Sequence, residues 1–543
     1  MNDRLLLPPR GSPVAPVTFR SALLVGVLSI AAAVLFWWPL LSGGALSGND
    51  WSSHHFHYFD YVRSSLRGFA TLPLYMPDAV MTPNFLANAE SPLLSPLVPL
   101  LLVLETDTYL KLLIVLYTAA GLAGCCFLLR DLEVPAPIGA LSAIAFVGGG
   151  FLPAHLAVGH PWALGTQVLP GLLCLYRRAA LGSNAALWLA ALLGASVIVG
   201  GQHHPFIWQG LFLAGFATLW AARARAVFPI VRLGWLFAAT AGLAAPKLLP
   251  MLAEFSDYAP TERIQGLPLG LLFTTLTARG QQPGFVPHGI AWTYGAGWWE
   301  YAFYVGPVAL LCMVVGIAAA RSGWSLLVLG ALFLWLALEP PLRFLDPWAL
   351  IRELPVWRTQ RAPSRFLELA LFAFGMGAAL GLGRLFELAA RRSPWLTIAV
   401  TLALLLLLGI DLQIESRAWQ RAAVGPAIAA RDHRPQPIAF GTPAGTRVEL
   451  VEFSPNRLVY RVRSHAFVQI GFPLRWGKSR AEWQLAGGLA SNRFGRLGVE
   501  VPPGESRIEM TYRPAYLRAG LGVFAATLLA FIGQLKTRRR RAV

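Results

Sequence analysis

The chain has 543 residues, of which 56% are hydrophobic and only 13% are charged. A soluble protein of this length would carry roughly a quarter charged residues, so the composition excludes an ordinary soluble protein and indicates a membrane protein with many helices. The net charge is +18, but the arginines are scattered at predicted helix ends, which argues against nucleic-acid binding. The four cysteines lie within predicted spans, without metal-ligand spacing or a disulfide framework.

Apolar runs recur along the whole chain and predict twelve membrane-spanning helices. The first run follows Arg4, Arg10 and Arg20 and is too long for the apolar part of a typical signal peptide, so we expect an uncleaved helix. The predicted spans lie near 21–42, 108–129, 136–155, 162–177, 184–200, 205–222, 230–252, 302–320, 323–338, 364–386, 395–412 and 516–535.

The short loops divide into two sets by their arginine content. With the N-terminus inside, the inner loops contain Arg130, Arg177, Arg178, Arg223, Arg225, Arg232, Arg321, Arg384, Arg391 and Arg392. The positive-inside rule therefore predicts that both termini lie in the cytoplasm. All ten histidines then fall on the opposite face, which predicts a functional site outside the cytoplasm.

Three outer segments are long, at 43–107, 253–301 and 413–515. The last of them alternates in polarity as strands do at 447–451, 458–462 and 507–512, with a turn at 501–505. The sequence thus predicts three units. These are a transmembrane domain at 1–412, a small β-sandwich-like domain at 413–515, and a final helix with a basic cytoplasmic tail at 516–543.

The first outer segment is the densest in side chains that can carry chemistry. Asp50 follows the first span, where a carboxylate can act as a general base on an acceptor hydroxyl or can instead cap a helix. His54, His55 and His57 can be metal ligands, with Asp50 or Asp60 completing the shell. We favour the alternative of an interfacial amphipathic helix, and we expect no metal.

Other polar residues lie at span ends. Lys247 falls within a predicted span, where a lysine is costly and suggests function, unless it snorkels or pairs with Glu254. His203 and His204 occupy a short outer turn, and His155 and His160 frame another. Imidazoles at this depth can donate hydrogen bonds to a phosphate or sugar, or simply be satisfied at the interface.

Several motifs are similar to those of the YfhO-like family of GT-C fold membrane glycosyltransferases. The first outer segment resembles the family's "FPLWNP … LANPQS … P" run, although Tyr75 stands where Trp is usual and Glu90 where Gln is usual. Five further segments resemble the family's motifs in the same order along almost the whole chain. They lie at 201–205, 247–254, 299–306, 361–366 and 499–514.

The resemblance implies a GT-C-like enzyme of the bacterial inner membrane. Such enzymes take a sugar from a polyprenyl-phosphate carrier and pass it to an extracytoplasmic glycan, polymer or lipid, without a cofactor. It implies that Asp50 is the base for direct, inverting attack, with Asp60 and Glu90 in reserve. The donor would be bound by Arg361, Arg365, Lys247, His203 and His204. The sugar or acceptor would contact His54, His55, Trp299, Glu300, Tyr301 and Glu254. Stacking tryptophans are also explained by an aromatic belt.

Two alternatives come from other functional classes. A lipid-linked glycan transporter or flippase should place ionisable residues near the bilayer midplane and show an internal repeat, whereas here the polar residues fall at the outer helix ends. A non-catalytic cell-envelope assembly factor would share the fold without the activity. Such a scaffold should tolerate asparagine at Asp50, and a base-dependent enzyme should not.

Overall fold

The computed structural model describes residues 18–541, with gaps at 81, 256–263, 282–296, 340–345, 355–356, 358–359, 435–443, 476–482 and 494–495. The described chain is mostly helical, and antiparallel β-strands lie between its last two long helices. The structure thus confirms a helical membrane-type protein with a small β-region near its C-terminal end.

Long apolar runs and proline positions decide where the helices begin and end, because proline starts a helix well but interrupts its interior. The α-helices of the described chain are α1 (Phe19–Leu41), α2 (Phe56–Phe69), α3 (Thr106–Asp131), α4 (Ala136–Val147), α5 (Phe151–Val158), α6 (Leu169–Ala180), α7 (Asn184–Val199), α8 (His203–Ala224), α9 (Phe228–Phe255), α10 (Leu272–Thr277), α11 (Gly306–Ala319), α12 (Trp324–Ala337), α13 (Pro347–Arg352), α14 (Leu367–Arg392), α15 (Pro394–Ala422) and α16 (Leu517–Arg541).

Eight helical segments in the described part of the chain are long and apolar enough to cross a membrane. They are Phe19–Leu41, Thr106–Asp131, Ala136–Val158, His203–Ala224, Phe228–Phe255, Pro363–Arg392, Pro394–Ala422 and Leu517–Gln534. Helices α7, α11 and α12 are apolar but shorter. These eleven segments coincide with eleven of the twelve predicted spans.

The structure corrects the prediction of one continuous span near 162–177. A 3-10 helix, Pro161–Val168, comes first, and α6 follows from Leu169. Prolines lie in the first turn of both elements. Because proline lacks the N–H group and clashes with the preceding turn, it begins a new element more readily than it continues an old one. Hydropathy alone does not distinguish one continuous apolar helix from two shorter apolar elements in succession.

Helix α15 continues past the predicted span end at 412 to Ala422. Its Glu415 is buried and accepts hydrogen bonds from the backbone N–H groups of Gly280 (2.8 Å) and Gln281 (3.2 Å). The described part of the second outer segment is therefore attached to this end of α15. The predicted domain boundary at 413 falls inside a helix.

The β-region consists of two antiparallel sheets, with strand orders β3-β4-β9-β6 and β5-β8-β7. Their inner faces share one apolar core that includes Tyr460, Phe472, Val499 and Met510. The three predicted strands lie within β3, β4 and β9. The strand bounds are β1 (Ala45–Leu46), β2 (Val424–Gly425), β3 (Arg447–Ser454), β4 (Arg457–Ser464), β5 (Val468–Arg475), β6 (Trp483–Ala486), β7 (Leu489–Arg493), β8 (Arg496–Val501) and β9 (Gly504–Tyr512).

The first outer segment is attached to this β-region. Asn456, in the turn between β3 and β4, accepts a hydrogen bond from Leu74 N (2.7 Å) and donates one to Leu72 O (2.8 Å). Tyr75 is buried in the β-core, with its ring centroid 5.0 Å from that of Tyr512. The short pairing of β1 with β2 adds a second attachment. Asp50 and Glu90 thus belong to a segment that is held by both the helices and the sheets.

Candidate active site

Asp50 begins a five-residue π-helix, Trp51–His55, that leads into α2. Its side chain makes no capping hydrogen bond, so the capping alternative does not describe it. The carboxylate is 26% exposed and instead binds His160, while Asn49 Nδ2 donates to its other oxygen (3.2 Å). The predicted base therefore lies at the surface, where an acceptor can reach it.

His160 connects Asp50 to a second imidazole. Nε2 of His160 lies 2.8 Å from Oδ2 of Asp50, and Nδ1 of His160 lies 2.9 Å from Nδ1 of His155. Nε2 is the donor because an ionised carboxylate only accepts hydrogen bonds. One of the two Nδ1 atoms donates to the other. A hydrogen-bonded chain therefore runs from the half-exposed carboxylate to the fully buried His155.

This contact keeps Asp50 ionised. Burial raises the pKa of the Asp50 carboxyl, but the hydrogen bond and charge of His160 outweigh burial and bring that pKa below its usual value of 3.8. Smaller contributions in the same direction come from His54 and Arg361. A carboxylate that stays charged at neutral pH can accept a proton.

A glycine makes the contact between Asp50 and His160 possible. Gly159 has φ +101°, and a Cβ atom there would lie 2.2 Å from the backbone N of Trp51. The turn that carries His160 therefore packs directly against the backbone that carries Asp50. Only a residue without a side chain adopts this conformation at this distance without displacing one of the two segments.

Glu90 reaches the same region from the far end of the first outer segment. Its Oε2 lies 3.9 Å from Nε2 of His54 and 3.9 Å from Nε2 of His55. The two imidazole rings have centroids 4.1 Å apart, and the Tyr58 ring packs 5.8 Å from each. Two histidines and a carboxylate thus face one another beside Asp50.

The environment of Glu90 differs from that of Asp50. Burial raises the pKa of the Glu90 carboxyl, and the negative charge of Asp50 raises it further. The positive charges of Arg361, Arg365 and Lys247 offset only part of this, so the pKa is raised to about 7. Two neighbouring carboxyl groups with separated pKa values are typical of sites that handle protons.

Lys247 is fully buried and fixes the Glu90 loop rather than pairing with Glu254. Its Nζ donates to Ser91 O and lies 3.5 Å from Ala89 O. Glu254 instead accepts a hydrogen bond from Thr82 Oγ1 (2.7 Å). Lys247 is thus part of the predicted site because it binds backbone carbonyl groups on either side of Glu90. Glu254 instead lies beside a different part of the first outer segment.

The predicted turn histidines are both at the site. His203 hydrogen-bonds to the backbone of Ala89 and Gly201, and its ring centroid lies 3.9 Å from that of His204. Nδ1 of His204 donates to Oε1 of Gln360 (3.0 Å). Gly201 has φ +81°, and a Cβ there would lie 2.4 Å from Glu90 O, so this turn packs closely on the Glu90 loop.

Glu300 and Arg365 form a buried ion pair on another side of the site. Two parallel hydrogen bonds join them, at 2.7 and 2.5 Å, and the guanidinium lies over the Trp162 ring, 4.5 Å from its centroid. Burial raises the pKa of Glu300, but the charge and hydrogen bonds of Arg365 dominate and lower it to about 2. Arg365 is therefore already neutralised, whereas Arg361 is exposed.

Besides Glu254, three predicted residues lie outside this cluster. Asp60 accepts a hydrogen bond from Thr106 Oγ1 (3.0 Å) on the side of α2 that faces α3. Tyr301 is buried and donates to the carbonyl oxygen of Gln265 (2.9 Å). Trp299 is half-buried against Gly297. The structure gives Asp60 no contact with Asp50, Glu90 or the imidazoles of the cluster.

The sequence does not predict three of the contributors to this cluster. It places His155 and His160 around a short turn without linking them to Asp50, and it gives no role to Trp162. Their signal was local: two histidines separated by a glycine-containing turn and followed by Pro161 and Trp162. The partner of His160, however, is Asp50, which lies 110 positions earlier in the chain.

The arrangement combines an exposed ionised carboxylate, a buried relay of imidazoles and an exposed arginine at one end of a helical bundle. It can remove a proton from a hydroxyl and attract an anionic group.

No protein-family model matches the chain, and a search of curated proteins gives no match.

Proposed function

We propose that this protein is a membrane glycosyltransferase of the GT-C type. It transfers a sugar from a polyprenyl-phosphate carrier to an acceptor hydroxyl outside the cytoplasm of a bacterial cell, with Asp50 as the base. The observation that carries the proposal is the hydrogen bond between Asp50 and His160, because it presents an ionised carboxylate beside cationic groups at the end of membrane-type helices.

The proposed step is a direct displacement. The Asp50 carboxylate takes the proton of the acceptor hydroxyl, and the hydroxyl oxygen attacks the anomeric carbon. The bond from that carbon to the phosphate oxygen breaks, and the polyprenyl phosphate leaves with the electron pair, so the anomeric configuration inverts. Arg361 is the cation placed to attract the leaving phosphate, since Arg365 is held by Glu300.

An apolar groove supports a lipid-linked donor. It is lined by residues of α4, α5, α11 and α14, including Phe146, Phe151 and Met376. Phe151 lies one helical turn before His155, with the two ring centroids 4.4 Å apart. An isoprenoid chain in this groove would therefore end close to the hydrogen-bonded chain that leads to Asp50.

The test is sugar transfer by the purified full-length protein in detergent, with a panel of polyprenyl-phosphate sugars and a solubilised envelope fraction as acceptor. Asp50→Asn should lower transfer by about 10²- to 10⁴-fold and keep the wild-type melting temperature. Asp60→Asn is the matched comparison, because its carboxylate lies outside the cluster, and should retain activity.

Two outcomes would contradict the proposal. Equal transfer by Asp50→Asn and wild type would remove Asp50 from the chemistry. No transfer by the wild type with any donor in the panel would favour a lipid-linked glycan transporter or a non-catalytic assembly factor instead.

A further inference from the structure

We propose that His54, His55 and Glu90 bind one divalent transition-metal ion. The Nε2 atoms of both histidines lie 3.9 Å from the same carboxylate oxygen of Glu90, and the three ligand atoms lie within 4.8 Å of one another. This departs from the expectation of a metal-free site, and it differs from the sequence hypothesis, in which His57 and Asp60 were ligand candidates.

The spacing suits coordination after a small contraction. Metal–ligand bonds of about 2.0–2.2 Å with near-tetrahedral angles separate neighbouring ligand atoms by about 3.3–3.6 Å. The two nitrogen–oxygen separations of 3.9 Å exceed this by a few tenths of an ångström, and the two Nε2 atoms lie within 4.8 Å of each other. Glu90 has rotatable side-chain bonds and is 14% exposed, so its carboxylate can move toward the imidazoles, and rotation of the two rings can bring their Nε2 atoms together.

The burial of His55 is the second observation that points to a ligand. Its side chain is only 2% exposed, and within the described chain no hydrogen bond is made by its ring. Its Nδ1 is buried without a partner. Its other ring nitrogen, Nε2, also makes no hydrogen bond within the described chain and faces the Glu90 carboxylate. A metal ion bound at Nε2 would therefore give this buried ring a polar interaction that the fold leaves open.

His54 is oriented as metal-bound histidines are. Its Nδ1 is 2.7 Å from the hydroxyl of Ser53, which leaves Nε2 directed toward Glu90. A hydrogen bond at the second ring nitrogen is the usual way in which a protein fixes the orientation of a histidine ligand. Packing of the Tyr58 ring against both imidazoles restricts them further.

The donor set selects the class of metal. Two imidazole nitrogens and one carboxylate suit Zn²⁺ and similar first-row ions, whereas Mg²⁺ and Ca²⁺ prefer sets made only of oxygen ligands. The negative charge of Asp50 acts on both Glu90 and His54, so two carboxylates can balance a divalent ion. With three protein ligands, one coordination position stays open for water or an anionic oxygen.

The experiment uses the full-length protein in detergent, treated with a chelator and returned to metal-free buffer. Zn²⁺ binding is measured by titration calorimetry and by metal analysis after gel filtration, and Co²⁺ binding is followed by its visible absorption. The wild type should bind one ion per chain. His55→Ala and Glu90→Gln should each weaken Zn²⁺ binding by at least about tenfold.

The matched control is His57→Ala, which removes a histidine of the same segment whose Nε2 is 3.0 Å from Ser52 O and whose ring faces His433. It should bind Zn²⁺ as the wild type does. Failure of the wild type to retain any ion, or unchanged affinity in Glu90→Gln, would overturn the proposal, as would an equal loss in His57→Ala. Because the readout is metal content, it is independent of sugar transfer.

Discussion

Two carboxylates in the same cluster each bind a nitrogen-bearing side chain, and the two pairs differ in their access to solvent. Glu300 and Arg365 are 2% and 5% exposed and joined by two hydrogen bonds. Asp50 and His160 are 26% and 11% exposed and joined by one. The Trp162 ring contacts both pairs, since it stacks on His160 and lies under the guanidinium of Arg365.

This difference in exposure suggests that the two pairs have different roles. A buried pair whose carboxylate is held by two hydrogen bonds is closed to a substrate, so Glu300 and Arg365 are better explained as structural support for the site. An open pair keeps one edge of its carboxylate available. His160 lowers the pKa of Asp50, and the carboxylate remains accessible to solvent. Under the proposed function, exposure rather than charge separates the pair that would react from the pair that only supports the site.

The largest effect is expected from breaking the buried pair. Arg365→Ala leaves Glu300 as an uncompensated buried charge, which typically costs about 3–5 kcal/mol. The melting temperature of the detergent-purified protein should fall steeply. The double variant Glu300→Leu/Arg365→Met removes both charges and should recover most of this loss. If Arg365→Ala had the melting temperature of the wild type, the interpretation of Glu300 and Arg365 as a structural pair would be wrong.

A smaller effect is expected from Gly159, which sets the contact of the open pair. Gly159→Ala combines a left-handed backbone, costing about 1–2 kcal/mol, with a Cβ atom 2.2 Å from the backbone N of Trp51. Gly182 is the matched control, because its φ is +102° and nothing lies within 4 Å of its Cβ position. Gly182→Ala should be mildly destabilised. Gly159→Ala should be destabilised further, because one of the two segments must move, and it alone should lose sugar transfer. Equal sugar transfer by the two variants would show that the turn at Gly159 is not needed for activity.

The sequence predicted the parts of the fold that depend on local pattern. Apolar runs predicted twelve spans, of which eleven coincide with helical segments, and alternation predicted β3, β4 and β9, because burial imposes these periods directly. The site was predicted only as far as single residues at span ends. The structure brings four of these residues into one cluster: Asp50, Glu90, Lys247 and His203. No local sequence pattern indicated that they lie close together. The pairs of Asp50 with His160 and of Glu300 with Arg365 join segments far apart in the chain, so only tertiary packing defines them.

The smallest expected effect is a shift in the pH dependence of sugar transfer. Burial raises the pKa of Asp50, but the hydrogen bond and charge of His160 outweigh it and hold the pKa below its usual value. A base must be ionised to act, so kcat/KM should stay level through the whole pH range in which an ordinary aspartate is charged and decline only under more acidic conditions. In His160→Ala, burial of Asp50 remains but the hydrogen-bond donor is gone, so the pKa of Asp50 should rise and the decline in kcat/KM should begin at higher pH. His160→Gln keeps an N–H donor, so the decline should begin at a pH between those of the wild type and His160→Ala. Activity measured at pH 7 after incubation at each pH excludes unfolding as the cause. A decline that begins near pH 7 in the wild type would instead match Glu90, whose pKa is about 7, and would move the role of the base from the open pair to that carboxyl.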